Sequence, residues 1–149
     1  MFGKEMLKIT GKLTIEKFDL NGILLETIEI PNMIVDAGKN HILLRLLSGT
    51  TETPMSHMGV GIGDSRVLAN DTALTTPIGT RVNLLTPTVN GNTISYVGTF
   101  LAGNATGSIS EAGIFNALTG GKMLCKTVFP TITKIASQSI IISWVITLS

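Results

Sequence analysis

A chain of 149 residues with 11 Lys and Arg against 10 Asp and Glu has a net charge of +1, which provides no broad attraction to a phosphate backbone or an anionic membrane. The length suits one domain, and the longest apolar runs, three residues each as in Ile42–Leu44 and Ile140–Ile142, fall far short of the ~20 residues of a membrane-spanning helix. Neither nucleic acid nor a membrane is expected as a partner. Hydrophobic residues make up 44% of the chain and charged residues 14%, with a mean hydropathy of +0.41, so the exterior is poorly charged for a free monomer. Association with its own copies, most simply as a homotrimer, or docking onto something larger, is expected.

Met1–Glu5 passes directly into polar/apolar alternation, without the apolar stretch and cleavage site of a signal peptide, so residence in the cytoplasm where it is made is expected. Leu7, Ile9, Leu13 and Ile15 share one face of a first strand. Asn21-Gly22 then forms a tight turn, and a return strand runs Ile23–Ile30 until Pro31 stops it. The spacing of Ile42, Leu43, Leu46 and Leu47 predicts a short amphipathic helix over about 36–48, capped by Asp36 and ended at Ser48-Gly49. Thr50–Pro54 reads as a polar connector. Met58, Val60 and Ile62 alternate with Gly59, Gly61 and Gly63, the pattern of a strand lying against a neighbouring backbone.

Asp64–Thr80 reads as a long surface loop. A second hairpin follows, Arg81–Val89 and Thr93–Ala102 about Asn90-Gly91-Asn92, and then a third, Ile109–Ala117 and Lys122–Pro130 about Thr119–Gly121. The final strand, Ser139–Leu148, places Ile140, Ile142, Trp144, Ile146 and Leu148 on one face and has a partly apolar second face, so it reads as central and covered on both sides. The whole is an antiparallel β-sandwich, mainly β with one short helix. It divides into a projecting N-terminal hairpin or arm, 1–35, and a sandwich body, 36–149. Two strands alone are marginal in water, so the apolar face of the hairpin, Ile9, Leu13, Ile15, Ile28 and Ile30, is expected to be an interface with another copy or another protein.

The residues offer little chemistry. Gly59–Ser65 has Arg66 where a dinucleotide fingerprint would reach its next glycine, as well as no P-loop lysine, so it reads as a glycine-spaced strand. His41, His57 and Cys125 fall in separate elements with no motif that unites a nucleophile and its base. Cys125 reads as a small buried residue with no disulfide partner, and two histidines make no zinc cluster. Asp64 and Asp71 lack the oxygen count of a cation site. No catalytic residue, cofactor or metal is expected, and the chain reads as no enzyme. Glu111 is the only charge within Ser110–Ala117, and Arg81, suited to bidentate capture of a carboxylate, is its expected partner in a structural ion pair. A carbohydrate-binding module would need exposed aromatic faces, whereas Trp144 and Tyr96 lie in strand patterns that read as buried.

Met55–Gly63, Asn70–Leu74 with Arg81, then Ser110–Ala117, Gly121–Phe129 and Ile142–Thr147 together resemble a family of small structural proteins of the tailed-bacteriophage virion. The likeness covers most of the chain from about Leu7 and is closest from Met55 onward. It implies a non-enzymatic role in the virion after synthesis in the host cytoplasm, most simply as a capsid decoration or cement protein that contacts the major capsid protein. The alternative it implies is a tail, fibre or baseplate component that mediates assembly or host attachment. Relatives in this family carry an acidic residue shortly before the arginine matching Arg81, where this chain reads Thr75–Thr80 without one.

Overall fold

The computed structural model describes Gly3 and residues 5–149, and among these the period-two segments become nine antiparallel strands accompanied by one helix. In chain order they are β1 (Ile9–Phe18), β2 (Leu24–Ile34), α1 (Asp36–Arg45), β3 (His57–Gly61), β4 (Pro77–Asn83), β5 (Thr88–Asn90), β6 (Thr93–Phe100), β7 (Gly107–Phe115), β8 (Met123–Lys134) and β9 (Ser139–Leu148). Their order across the sheet is β4-β3-β7-β8-β2-β1-β9-β6-β5. β2 and β8 pair only at Met33–Lys126 and Ile34–Cys125, and at this narrow seam the sheet folds over. The result is mainly β and sandwich-like, one antiparallel sheet curled into a half-barrel with β4, β3, β7 and β8 as one leaf.

Strand parity decides what lies inside. Leu13 stands opposite Ile30 and Trp144, Ile15 opposite Ile28 and Ile142, Tyr96 opposite Trp144, and Phe100 opposite Ile140. One face of the β2-β1-β9-β6 leaf is therefore continuously apolar, and it closes on Met58, Val60, Ile114 and Cys125 of the other leaf. Leu13, Ile15, Ile142 and Trp144 are fully buried, and each side chain of this size adds ~1.5–3 kcal/mol on leaving water. β7 is buried on both faces because the segment 62–76 lies across its outer side, packing Leu74 onto Phe115 and Met123.

Several expectations are corrected. The N-terminal hairpin is no separate arm: β1 pairs with β9 along its whole length, so residues 9–34 belong to the same sheet and core as the rest. Leu13 and Ile15 are buried, and Ile9, Ile28 and Ile30 are partly buried against the same core, so the face expected to await a partner is already packed within one chain. What does project is the outer edge of β2 before the seam, where Leu24–Asn32 pairs with β1 alone. Nor does Pro31 stop β2. Its carbonyl accepts the Thr127 hydroxyl at 3.0 Å, on the side away from β1, so its missing N–H removes no bond from the hairpin ladder.

The helix is shorter than predicted and is rotated, so that of the four residues of its expected apolar face only Ile42 packs against the core. Val35, not Asp36, is the N-cap, and Asp36 is the first helical residue. Beyond Arg45 the chain tightens into i→i+3 bonds, with Leu46 N–H to Leu43 O and Leu47 N–H to Leu44 O. The buried positions are Gly38 and His41, while Leu43, Leu46 and Leu47 face solvent. Any Cβ on Gly38 would strike the backbone of Leu124, so this glycine sets how deeply the helix seats on β8.

The predicted strand Arg81–Val89 is divided. Its first half belongs to β4, which starts at Pro77 and pairs with β3, and only the three residues of β5 return to β6. Leu84 N–H bonds Ser56 O and Leu85 N–H bonds Val97 O, so the chain crosses between leaves at this point, just before Pro87. The third hairpin forms, with β8 running past Pro130 to Lys134 and bulging opposite Ser110, where three residues, Phe129–Thr131, face one. β9 is central, between β1 and β6, but its second face is only partly covered and Val145 reaches solvent.

Candidate functional site

At the end of the sandwich where β1 begins and β9 ends, the two leaves diverge and leave a groove of about 430 Å³. Ile94 and Tyr96 of β6 and Ile146 and Leu148 of β9, all with inward parity, form its floor. One turn of α1 supplies a wall, His41, Ile42, Arg45 and Leu46, while Pro54, Met55 and Leu124 close the inner end. Val89 of β5 and Asn92 of the turn that follows it stand on the opposite rim. This lining is overwhelmingly apolar, in the size range of ligand and side-chain pockets. Burial raises the Tyr96 phenol to about 12, so it stays neutral and hydroxylated at physiological pH.

Because α1 seats on its Gly38–His41 side, its leucines continue the apolar lining outward. Leu46 is 77% exposed, Leu43 and Leu47 are each more than half exposed, and Val89 on the facing rim is 72% exposed. An apolar groove thus opens into an apolar surface, a combination that soluble monomers rarely leave uncovered.

One polar network sits behind the groove wall. His41 Nδ1 lies 2.9 Å from Glu52 Oε1, and Lys122 Nζ reaches Glu52 Oε2 at 3.3 Å and Asn40 Oδ1 at 2.8 Å. Asn116 adds its amide to Glu52 Oε1 at 3.4 Å. The His41 hydrogen bond, helped by Lys122 and opposed by burial, holds the Glu52 carboxyl below its ordinary range. This cluster ties the 50–54 connector to α1 and to the β7–β8 turn, and it fixes the wall. Sequence reasoning missed it, since its members come from separate elements and no spacing along the chain unites them.

A second group of polar side chains lies beneath the 62–76 segment. The Lys126 ammonium, almost wholly buried, donates to Ala73 O at 3.2 Å, Thr75 Oγ1 at 3.3 Å and Asp71 Oδ2 at 3.4 Å. Glu111 is fully buried, and its Oε1 accepts Thr76 N–H at 3.2 Å while Oε2 has no hydrogen-bond partner. Gly61 and Gly63 give its carboxylate room, for a Cβ on Gly63 would collide with Oε2. The expected pair with Arg81 is not made. Arg81 stands across β3 and one step further along the sheet, its Nη1 donates to Ala117 O and Gly120 O at 2.8 Å each, and its guanidinium lies 3.5 Å from the Phe115 ring centroid. Desolvation there lowers its pKa from the ordinary value.

The remaining chemical candidates stay apart. His57 Nδ1 lies 2.8 Å from Ser56 Oγ, its neighbour in the chain, and neither lines the groove. Cys125 is buried in the core, where desolvation pushes its thiol well above the ordinary value. Trp144 is fully buried, and Tyr96, nearly so, is reached only at the floor of the groove, so neither forms an exposed aromatic platform on the surface. Among the described residues no three His, Cys, Asp or Glu side chains gather as a metal site, and no helix is long and apolar enough to cross a membrane. Comparison with protein-family models, with curated proteins and with solved structures finds no match.

Proposed function

We propose that this chain is a non-enzymatic structural subunit of a bacteriophage virion, a capsid decoration or cement protein that works by making contacts with its own copies and with the shell. The observation that carries the contact-making part is the row Leu43, Leu46 and Leu47, turned outward beside an apolar groove. Leaving such a row in water is unfavourable by about 25 cal/mol for each Å² that a partner could cover. The virion setting rests on the sequence resemblance of Met55–Gly63, Ser110–Ala117 and Ile142–Thr147. A rigid sandwich with a fixed apolar end suits repeated docking on a lattice, where weak contacts multiply through valency.

Counting copies per particle and heating particles made without the protein tests this. A cement protein binds the assembled lattice in preference to loose subunits, so particles lacking it should release DNA at lower temperature, and added protein should restore resistance saturably at hundreds of copies. Heads that withstand heating equally well, with missing or defective tails, would replace cement by a tail, fibre or baseplate role.

A further inference from the structure

We propose that the groove at the open end of the sandwich receives the N-terminal segment of a second copy of this chain, with Met6 and Leu7 as its anchors. Both are large apolar residues left in water, Met6 at 77% and Leu7 at 73% exposure, and the sequence adds Met1 and Phe2 upstream of them. Leu7 has the same parity as Ile9 and Leu13, the inward face, yet it extends past the end of the sheet and none of the described residues covers it.

The point of departure matters. Lys8 N–H donates to Ser149 O at 2.7 Å and Ser149 N–H returns the bond at 2.9 Å, extending the β1–β9 ladder by one step. Leu148, the next residue of that ladder, lines the groove. The segment therefore leaves the molecule at the rim of the groove with its anchors outside, and a second copy brought end to end offers a groove to those anchors and anchors to this groove. A small apolar ligand would fill the groove and still leave Leu43, Leu46, Leu47 and Val89 in water, whereas a second chain covers both.

This inference rests on the self-assembling part of the proposed function and is independent of the virion setting. The test uses full-length chains with paired substitutions at exposed positions: Met6→Glu with Leu7→Glu in one variant, Leu46→Glu with Val89→Glu in the other. Size exclusion with light scattering at micromolar concentration should show the parent as a multiple of 15.8 kDa and each variant as a monomer. Unchanged circular dichroism and tryptophan emission would show that both remain folded. Mixing the two should restore a complex, because one variant keeps an intact groove and the other an intact segment, with affinity at least tenfold above that of either alone. Assembly that survives Met6→Glu/Leu7→Glu, or folded variants that stay monomeric when mixed, would overturn the segment docking and leave self-assembly standing. A monomeric parent would overturn both, and the copy count on particles separately decides the virion reading.

Discussion

Glu52 accepts bonds from His41 and Lys122 at once, and this makes its protonation a stability term. Its folded pKa lies below the ordinary 4.5, so its contribution is present above that pH and is lost as pH falls through the folded value. Thermal melts followed by circular dichroism should therefore show Glu52→Gln less stable than the parent at pH 6, with the gap closing toward pH 3. A gap that stays constant would mean the carboxylate charge contributes nothing. Trp144, read as core from its parity, is fully buried, and Trp144→Ala should cost ~3–5 kcal/mol in a denaturant titration. Burial was also legible for Glu111, an isolated charge among small and apolar residues, but its partner was not. Spacing along the chain does not say that β3 intervenes, nor that Arg81 finds two carbonyls and the Phe115 ring nearer than a carboxylate.

At the level of elements, periodicity identified α1 but not its orientation. Leucines at three- and four-residue spacing read as a core-facing stripe, whereas the helix is seated by Gly38 against Leu124, a backbone contact that a hydrophobic pattern does not register. The candidate groove was illegible for the same reason, since its wall of His41, Ile42, Arg45 and Leu46 depends on how the helix is rotated on the sheet. The loop read over Asp64–Thr80 does lack strand structure as far as Thr76, but its last four residues already belong to β4, and it is held down by the Lys126 ammonium and by Thr76 on Glu111. Hydrogen bonds to a charged group contribute ~1.5–3 kcal/mol each, so Lys126→Met should loosen this segment while the sheet persists. Limited trypsin digestion should then cut at the exposed Arg66 at least about tenfold faster than in the parent, with far-UV circular dichroism little changed. Equal cleavage rates would show that Lys126 does not restrain it.

For the whole molecule, the class of fold was legible because period-two alternation and Asn-Gly turns recur along the chain, and mainly-β antiparallel architecture follows. The division into arm and body failed because alternation says that a face must be covered without saying by what. Here β9 and the opposite leaf cover it. Deleting residues 1–32 should therefore unfold the chain, with loss of the β-sheet dichroism signal and of blue-shifted Trp144 emission, and a folded remainder would restore the separate arm. Placing β1 beside β9 also governs the order of events in assembly of the monomer. The first strand made must wait for the last, nearly the full chain away, and closing so long a loop sacrifices entropy before any contact returns it. During synthesis Leu13 and Ile15 have a strand on one side only, through Ile30 and Ile28 of β2, until Trp144 and Ile142 emerge, and in that interval their greasy ribbon is a natural client for a chaperone.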